Sequence, residues 1–254
     1  MKLKPTSRPE VMVRAIYRKL AHRWGRQHWW PAATPFEVIV GAILTQNTSW
    51  NNVERAIAGL RSAGALSVAG IRAVPLPELE KLVRSSGYFR QKAQRLKDFV
   101  SFLDADYGGS VEAMLATPTP QLRAQLLALK GIGEETADSI LLYAGNHEIF
   151  VVDAYTRRIF ERHGLAGAKA RYDELRVLTE RALRRVKPSN RESQKCRPPH
   201  ELQIHTPSPM STAQRSPLAQ VYNEMHGLLV QVGKHYCLKQ EPKCEACPLR
   251  SLLP

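Results

Sequence analysis

Two glycines separated by one residue, Gly131 and Gly133, stand between two apolar helical stretches of this chain. The first stretch runs from Gln121 to Leu129, and the second is predicted to begin directly after Gly133. Glycine allows a tight turn and the close approach of another backbone, because it has no Cβ atom. The first N–H groups of the second helix point outward and can bind a phosphate. The pattern is typical of a helix-hairpin-helix motif, which holds a nucleic-acid backbone; a simple αα-turn with a glycine C-cap is the alternative.

Asp153 is the second residue that could carry chemistry, and it follows the apolar pair Val151 and Val152. A carboxylate near a phosphate-binding turn can stabilise positive charge on a sugar ring, or orient a water molecule for attack on it. The alternative is structural, because an aspartate before a helix that begins at Ala154 is also an ordinary N-cap. Spacing alone leaves both interpretations open.

The elements that must position these residues are predicted to be helices along most of the chain, because apolar side chains recur at helical spacing. The predicted helices cover 13–20, 36–44, 53–60, 79–83, 89–103, 121–129, 134–144, 154–163, 172–186 and 218–232. The run 149–152 could pass for a strand, but nothing nearby pairs with it. Residues 188–217 are rich in Pro and Ser and lack apolar periodicity, which predicts a disordered or loosely packed insertion between two helices.

The charge balance points to a polyanionic partner. Thirty-seven Lys and Arg residues against 23 Asp and Glu give a net charge of +14 and a pI of about 9.9. Such an excess favours salt-sensitive binding to nucleic acid. The longest apolar run, Val38 to Leu44, is too short to cross a bilayer, and the N-terminus lacks the apolar core of a secretory signal. A cytoplasmic protein without a membrane partner is therefore expected.

Three separated motifs resemble those of the helix-hairpin-helix DNA glycosylases of the endonuclease III superfamily. They are Leu129–Asp138 with Val151–Asp153, Ala42–Thr48, and Gly233–Cys237 with Cys244 and Cys247. The resemblance runs from about residue 10 to the end of the chain, apart from 188–217. It implies an all-α fold of two helical lobes with DNA in the cleft between them. One lobe would be a six-helix bundle with the hairpin over 33–147, and the other would join 1–32 to 148–254.

The resemblance also implies roles for single residues. Asp153 would be the catalytic carboxylate, acting on a damaged nucleotide that is flipped out of the duplex. Gln46 would enter the gap left in the duplex, although a polar residue that closes a helix is the structural alternative. The other residues expected to bind DNA are those of the hairpin, Gly131, Ile132, Gly133, Glu135 and Thr136. The expected partner is double-stranded DNA with a damaged base, bound by a monomer.

Glu135 departs from the pattern of the family's bifunctional members, which also cut the DNA backbone. Those members place a lysine two residues after the second glycine, and its amine attacks the sugar to form a Schiff base. A carboxylate cannot form the imine, and Lys130 precedes the first glycine. The sequence therefore predicts a monofunctional glycosylase in which Asp153 assists a water nucleophile. A glycosylase with lyase activity and a non-catalytic DNA-binding module are the alternatives.

Three tryptophans, Trp29, Trp30 and Trp50, lie near the motif that contains Gln46. They could form a base pocket that stacks on a flipped purine, and an electron-deficient alkylated ring would suit them best. Core packing is the structural alternative. Their arrangement resembles the 3-methyladenine glycosylases of the family, which favours excision of an alkylated purine.

Cys237, Cys244 and Cys247 match the first three of the four ligands that hold a [4Fe–4S] cluster in much of the family. The fourth position is Leu253, and such clusters are normally held by four thiolates. Three interpretations stay open: a cluster with a different fourth ligand, a loop without metal, or a zinc site completed by His235. A cluster with a structural role is favoured.

Overall fold

The structure is a computed structural model that describes residues 8–189, 202 and 205–254. Helices and no strands are found in this part of the chain, as the sequence predicts. The α-helices are, in chain order, α1 (Arg8–Trp24), α2 (Pro35–Leu44), α3 (Trp50–Ser62), α4 (Val68–Ala73), α5 (Leu76–Leu82), α6 (Phe89–Tyr107), α7 (Val111–Leu115), α8 (Thr119–Ala128), α9 (Glu134–Ser139), α10 (Ala154–Arg162), α11 (Tyr172–Leu183), α12 (Pro209–Thr212) and α13 (Pro217–His235). Within the same residues, no helix is both long and apolar enough to cross a membrane.

The chain divides into two compact units. The middle unit is Ala32–His147, and the terminal unit joins Met1–Pro31 to Glu148–Pro254. In the terminal unit, α13 is buried along most of its length and packs against α1 and α10. The helix begins at Pro217 because the Ser216 hydroxyl accepts the N–H of Ala219, and a proline in the first turn has no N–H to leave without a partner.

The middle unit is organised around α2, in which every residue after Pro35 is buried. This helix begins at Pro35 because the Thr34 hydroxyl accepts the N–H of Glu37. It packs against α3, α6, α9 and the π-helical turn Ile140–Ala144, which continues α9. The apolar run Val38 to Leu44 is therefore part of a core helix.

Part of the predicted insertion 188–217 is ordered. Residues 190–201, 203 and 204 lie outside the described residues, and so does Cys196, a residue of this insertion. The remainder contains α12, which Ser208 caps by accepting the N–H of Ser211. The Ser208 hydroxyl also donates to the Trp30 carbonyl oxygen at 3.2 Å, and Met210 is buried. This differs from the expected loose segment, because a cap and one buried side chain suffice to order a short turn without apolar periodicity.

Candidate active site

The glycine turn between α8 and α9 has the geometry of a helical hairpin. Gly131 has a φ of +85°, a left-handed conformation that favours glycine, and a Cβ there would collide with the guanidinium of Arg95. Gly133 differs, since its φ of −93° suits any residue and a Cβ there would meet nothing within 4 Å. The turn therefore requires glycine at position 131, whereas the bare backbone at 133 leaves an open approach to the start of α9.

The two helices of the hairpin are tied together by a buried ion pair. Arg123 on α8 donates to both carboxylate oxygens of Asp138 on α9, at 2.7 and 3.2 Å. Asp138 is fully buried, and the Arg123 side chain is only 16% exposed. A bidentate pair of this kind fixes direction as well as distance. It therefore holds α9 at a defined angle to α8.

Gln46 reaches the hairpin within the middle unit. Its Nε2 donates to the Gly131 carbonyl oxygen and to the Thr136 hydroxyl, both at 2.9 Å. Arg95, which sequence reasoning missed, donates to the Gln46 side-chain oxygen. The structure thus brings together Gln46, Gly131 and Thr136, three of the predicted DNA-binding residues.

Lys92, also missed, secures the helix end that leads into Gln46. It is 1% exposed and donates to the carbonyl oxygens of Leu44 and Ser86 at 2.9 and 2.6 Å. Burial and, to a smaller extent, the charge of Arg95 lower the pKa of Lys92 to about 8. The sequence indicates only that Lys92 lies within the apolar face of α6. Helical periodicity does not reveal which carbonyl oxygens accept its hydrogen bonds.

Asp153 is the N-cap of α10 and is buried in the terminal unit. Its Oδ1 accepts the N–H of Thr156 at 2.7 Å, and its Oδ2 lies 3.5 Å from Nε2 of His226 on α13. Burial raises the pKa of the carboxyl, but the charge and hydrogen bonding of His226 and the bond from Thr156 bring the pKa below its usual value. The structural interpretation as a cap is confirmed, and it leaves an ionised carboxylate in an 8% exposed position.

The apolar link before Asp153 is held by α11 and not by a neighbouring strand. The N–H of Phe150 donates to Glu180 at 3.0 Å, and the N–H of Val152 donates to the Tyr172 hydroxyl at 3.2 Å. These bonds satisfy buried backbone groups that a sheet would otherwise pair. Asp153 is thereby fixed from the link on one side and from its own helix on the other.

The three predicted pocket tryptophans fall in both units. Trp29 and Trp30 are nearly buried in the terminal unit, in an edge-to-face arrangement with ring centres 5.4 Å apart. The Trp29 ring also lies 6.4 Å from that of His226, the residue that faces Asp153. Trp50 begins α3 in the middle unit, and its indole N–H donates to Glu54 at 2.8 Å. Within the terminal unit, the His226 ring therefore lies between Trp29 and Asp153 and contacts both.

The C-terminal cysteine loop is held by two arginines of α10, the helix that Asp153 caps. Arg158 donates to the carbonyl oxygens of Cys237 and Gly233 at 2.6 and 3.2 Å. Arg162 donates to the Cys237 sulfur at 3.2 Å and to the Leu238 carbonyl oxygen at 2.7 Å. These bonds couple the loop to α10.

The cysteine ligands expected for a metal do not form a complete set. Burial raises the pKa of the Cys247 thiol, and Cys237 and Cys244 add to the rise. Among the described residues, no group of three or more His, Cys, Asp or Glu side chains is arranged to hold a metal ion. The fourth position of the family pattern is Leu253. The described part of the chain supplies three of the four thiolates that such a cluster normally needs, and the [4Fe–4S] cluster stays a prediction that iron analysis would test.

Arg162→Ala is expected to loosen the cysteine loop. The substitution removes charged hydrogen bonds to the Cys237 sulfur and the Leu238 carbonyl oxygen, each contributing about 1.5–3 kcal/mol. We expect a lower midpoint of urea unfolding and faster proteolysis within 237–253. Arg171→Ala is the control, because its guanidinium pairs only locally with Glu174 and is 84% exposed. Equal midpoints and equal cleavage of both variants would show that the arginine contacts do not hold the loop.

Comparison with known proteins agrees with this geometry. Residues 40–185 match the model of the HhH-GPD superfamily base excision DNA repair proteins. The chain is 41% identical over 240 residues to the Methanocaldococcus jannaschii protein named "Putative DNA repair glycosylase MJ1434", covering 94% of each chain. It is also 27% identical to endonuclease III of Thermotoga maritima, covering 94% of this chain and 91% of that protein.

Solved structures show the same fold. The 3-methyladenine DNA glycosylase MagIII of H. pylori, bound to 1,N6-ethenoadenine, has a TM-score of 0.67 and 30% identity, covering 89% of this chain and 97% of that one. A non-covalent endonuclease III–DNA complex has a TM-score of 0.71 at 21% identity, covering 96% and 94%. The chain therefore belongs to the HhH-GPD superfamily of base excision DNA repair proteins and is a DNA N-glycosylase.

Proposed function

We propose that this glycosylase is monofunctional and hydrolyses the N-glycosidic bond of an alkylated purine, with Asp153 as its catalytic carboxylate. Cleavage of that bond leaves positive charge on the sugar, and a buried carboxylate held ionised stabilises such charge strongly. The same carboxylate can orient the attacking water and accept its proton. The geometry that supports this role is the buried Asp153 with its amide and imidazole partners.

The observation that carries the monofunctional assignment is the exposed Glu135 at the position of the lyase amine. Schiff-base formation requires a nucleophilic nitrogen, which a carboxylate lacks. Lys92 does not replace it, because that amine is buried and donates to two backbone carbonyl oxygens. Water is then the nucleophile, and the product is an intact strand with an abasic site.

The proposed DNA contacts lie in the hairpin. Backbone N–H groups of the turn Gly131–Ile132–Gly133 and of the first turn of α9, which contains Glu135 and Thr136, would hold the phosphate backbone, because helix N-termini favour anions. Such contacts position a protein on DNA without reading its sequence. We assign to Gln46 the gap left by the flipped nucleotide; its bonds to Gly131 and Thr136 place it at the hairpin.

Support for an alkylated purine comes from the aromatic residues. Trp29 and Trp30 lie in the same unit as Asp153, and Trp29 packs on the residue that faces the carboxylate. An alkylated purine carries positive charge, which an indole face attracts. The likeness to MagIII, a 3-methyladenine glycosylase, supports the same substrate class.

The test uses DNA duplexes that each carry one defined lesion. We expect strand breaks only after mild alkali, and only with alkylated purines such as 3-methyladenine. Borohydride should trap no covalent complex, since no imine forms. Breaks without alkali would establish lyase activity instead, and DNA binding without breaks for any lesion would establish a non-catalytic module. Release of another base would keep the hydrolysis and overturn the alkylpurine assignment.

A further inference from the structure

The two oxygens of the Asp153 carboxylate have different partners, and this difference points to a second residue at the site. Oδ1 accepts the N–H of Thr156 and caps α10. Oδ2 faces Nε2 of His226 at 3.5 Å, within the range of an ion pair. With the bond from Thr156 as its single contact, the carboxylate group could still rotate. The imidazole supplies the second contact, on the oxygen that the helix does not use.

His226 is held rigidly enough to act as this second contact. It lies on α13, which packs against α10, and it is 5% exposed. Its ring lies 6.4 Å from the Trp29 ring on one side and 6.4 Å from the Phe150 ring on another, at 59° and 75°. Aromatic contacts at these distances restrict the ring to a narrow range of orientations. The direction of Nε2 towards Asp153 is therefore set by packing.

The charged and titratable groups around Asp153 and His226 lie on α10, on α13, and in the non-helical segments that contain His28 and His205. Tyr155 lies on α10, and its pKa is raised by burial and by Asp153. Arg158, on the same helix, stands 5.2 Å from the centre of the Tyr155 ring. The centre of the His205 ring lies 5.3 Å from that of the Trp29 ring. Burial, together with the charges of Lys234 and His28, lowers the pKa of His205 to about 4. His205 is thus neutral near pH 7, and among these groups His226 is the one that faces the carboxylate directly.

We propose that His226 is a positioning residue for Asp153, which orients the carboxylate through Oδ2 and keeps it ionised in a buried place. This inference rests on the proposed function, because the carboxylate it positions is the one assigned to base release. A protonated carboxylic acid would neither stabilise positive charge on the sugar nor accept a proton from water. An ionised carboxylate without the imidazole would be free to rotate about its cap.

The kinetic test compares His226→Ala with His226→Gln. The alanine variant loses the contact, and we expect kcat to fall about tenfold to a hundredfold with little change in DNA affinity, since a misplaced catalytic group costs about that much. Removal of His226 leaves burial to raise the pKa of Asp153, so the acid limb of kcat moves to higher pH. A glutamine amide can place an N–H near the former Nε2 without charge. The glutamine variant should therefore recover most of kcat. Its acid limb should move back only part of the way towards the wild-type position.

The control is His163→Ala, which removes another buried histidine of the terminal unit whose Nδ1 contacts the Leu252 carbonyl oxygen. It should lower stability without moving the acid limb. If His226→Ala retains wild-type kcat and an unmoved acid limb, the proposal is overturned. Equal loss of kcat in the alanine and glutamine variants, with an unmoved limb, would also overturn it and show that His226 only packs.

A readout that needs no catalysis separates this inference from the proposed function. The side-chain carboxyl carbon of Asp153 can be titrated by NMR in the full-length protein, with Asp153→Asn to assign the signal. We expect the pKa of Asp153 to rise in His226→Ala and less so in His226→Gln. A wild type that releases no base would refute the proposed function alone. A pKa of Asp153 that is the same with and without His226 would refute the inference.

Discussion

Asp153→Asn is expected to abolish base release while DNA affinity stays unchanged. Asparagine caps a helix about as well as aspartate, so the bond from the Thr156 N–H and the start of α10 should survive. The amide lacks the negative charge that stabilises the sugar and the basicity that activates water. General-base catalysis alone contributes about 10²–10⁴-fold, and we expect a loss of at least that size in single-turnover base release.

The matched control is Asp106→Asn, which removes one negative charge from the exposed surface of α6. Its rate should equal that of the wild type, and the melting temperatures of both variants should stay close to the wild-type value. Ordinary turnover by Asp153→Asn, with affinity intact, would remove Asp153 from the mechanism. The helix cap would then be its whole role.

Gly133→Val is expected to weaken binding to all DNA sequences alike. A Cβ at this position meets nothing within 4 Å in the protein, and the backbone conformation at 133 suits any residue, so the hairpin should fold. The branched side chain would instead occupy the space through which a phosphate approaches the start of α9. Loss of one charged hydrogen bond of about 1.5–3 kcal/mol corresponds to about a tenfold to a hundredfold rise in Kd.

Gly167→Val provides the control, because Gly167 is also an exposed glycine with open space around its missing Cβ, but it lies far from the hairpin in sequence. Binding to undamaged duplexes of several sequences should separate the two variants. Unchanged affinity of Gly133→Val would reject the hairpin as the backbone grip. Gly131→Ala cannot serve in this test, since its positive φ and the collision with Arg95 would distort the turn itself.

Much of the fold follows from local patterns in the sequence. The apolar spacing predicts most of the helices, since a helix buries whichever face its side chains make apolar. Gly131 marks the turn because only glycine adopts its conformation cheaply, and Asp153 marks the start of α10 because a short acidic side chain caps a helix. The sequence also shows that no lysine stands at the position of the lyase amine, because that position is two residues after Gly133 and is Glu135.

Helix packing alone determined the partners of these residues. Arg95 meets Gln46 across 49 positions, and Lys92 meets Leu44 across 48, through the contact of α6 with the end of α2. Arg158 reaches Cys237 across 79 positions, and His226 faces Asp153 only because α13 packs on α10. Hydrophobic periodicity says which face of a helix is buried but not which helix covers it, since burial is non-directional. The catalytic candidate was therefore visible in the sequence, whereas the groups that orient and charge it were decided by the tertiary structure.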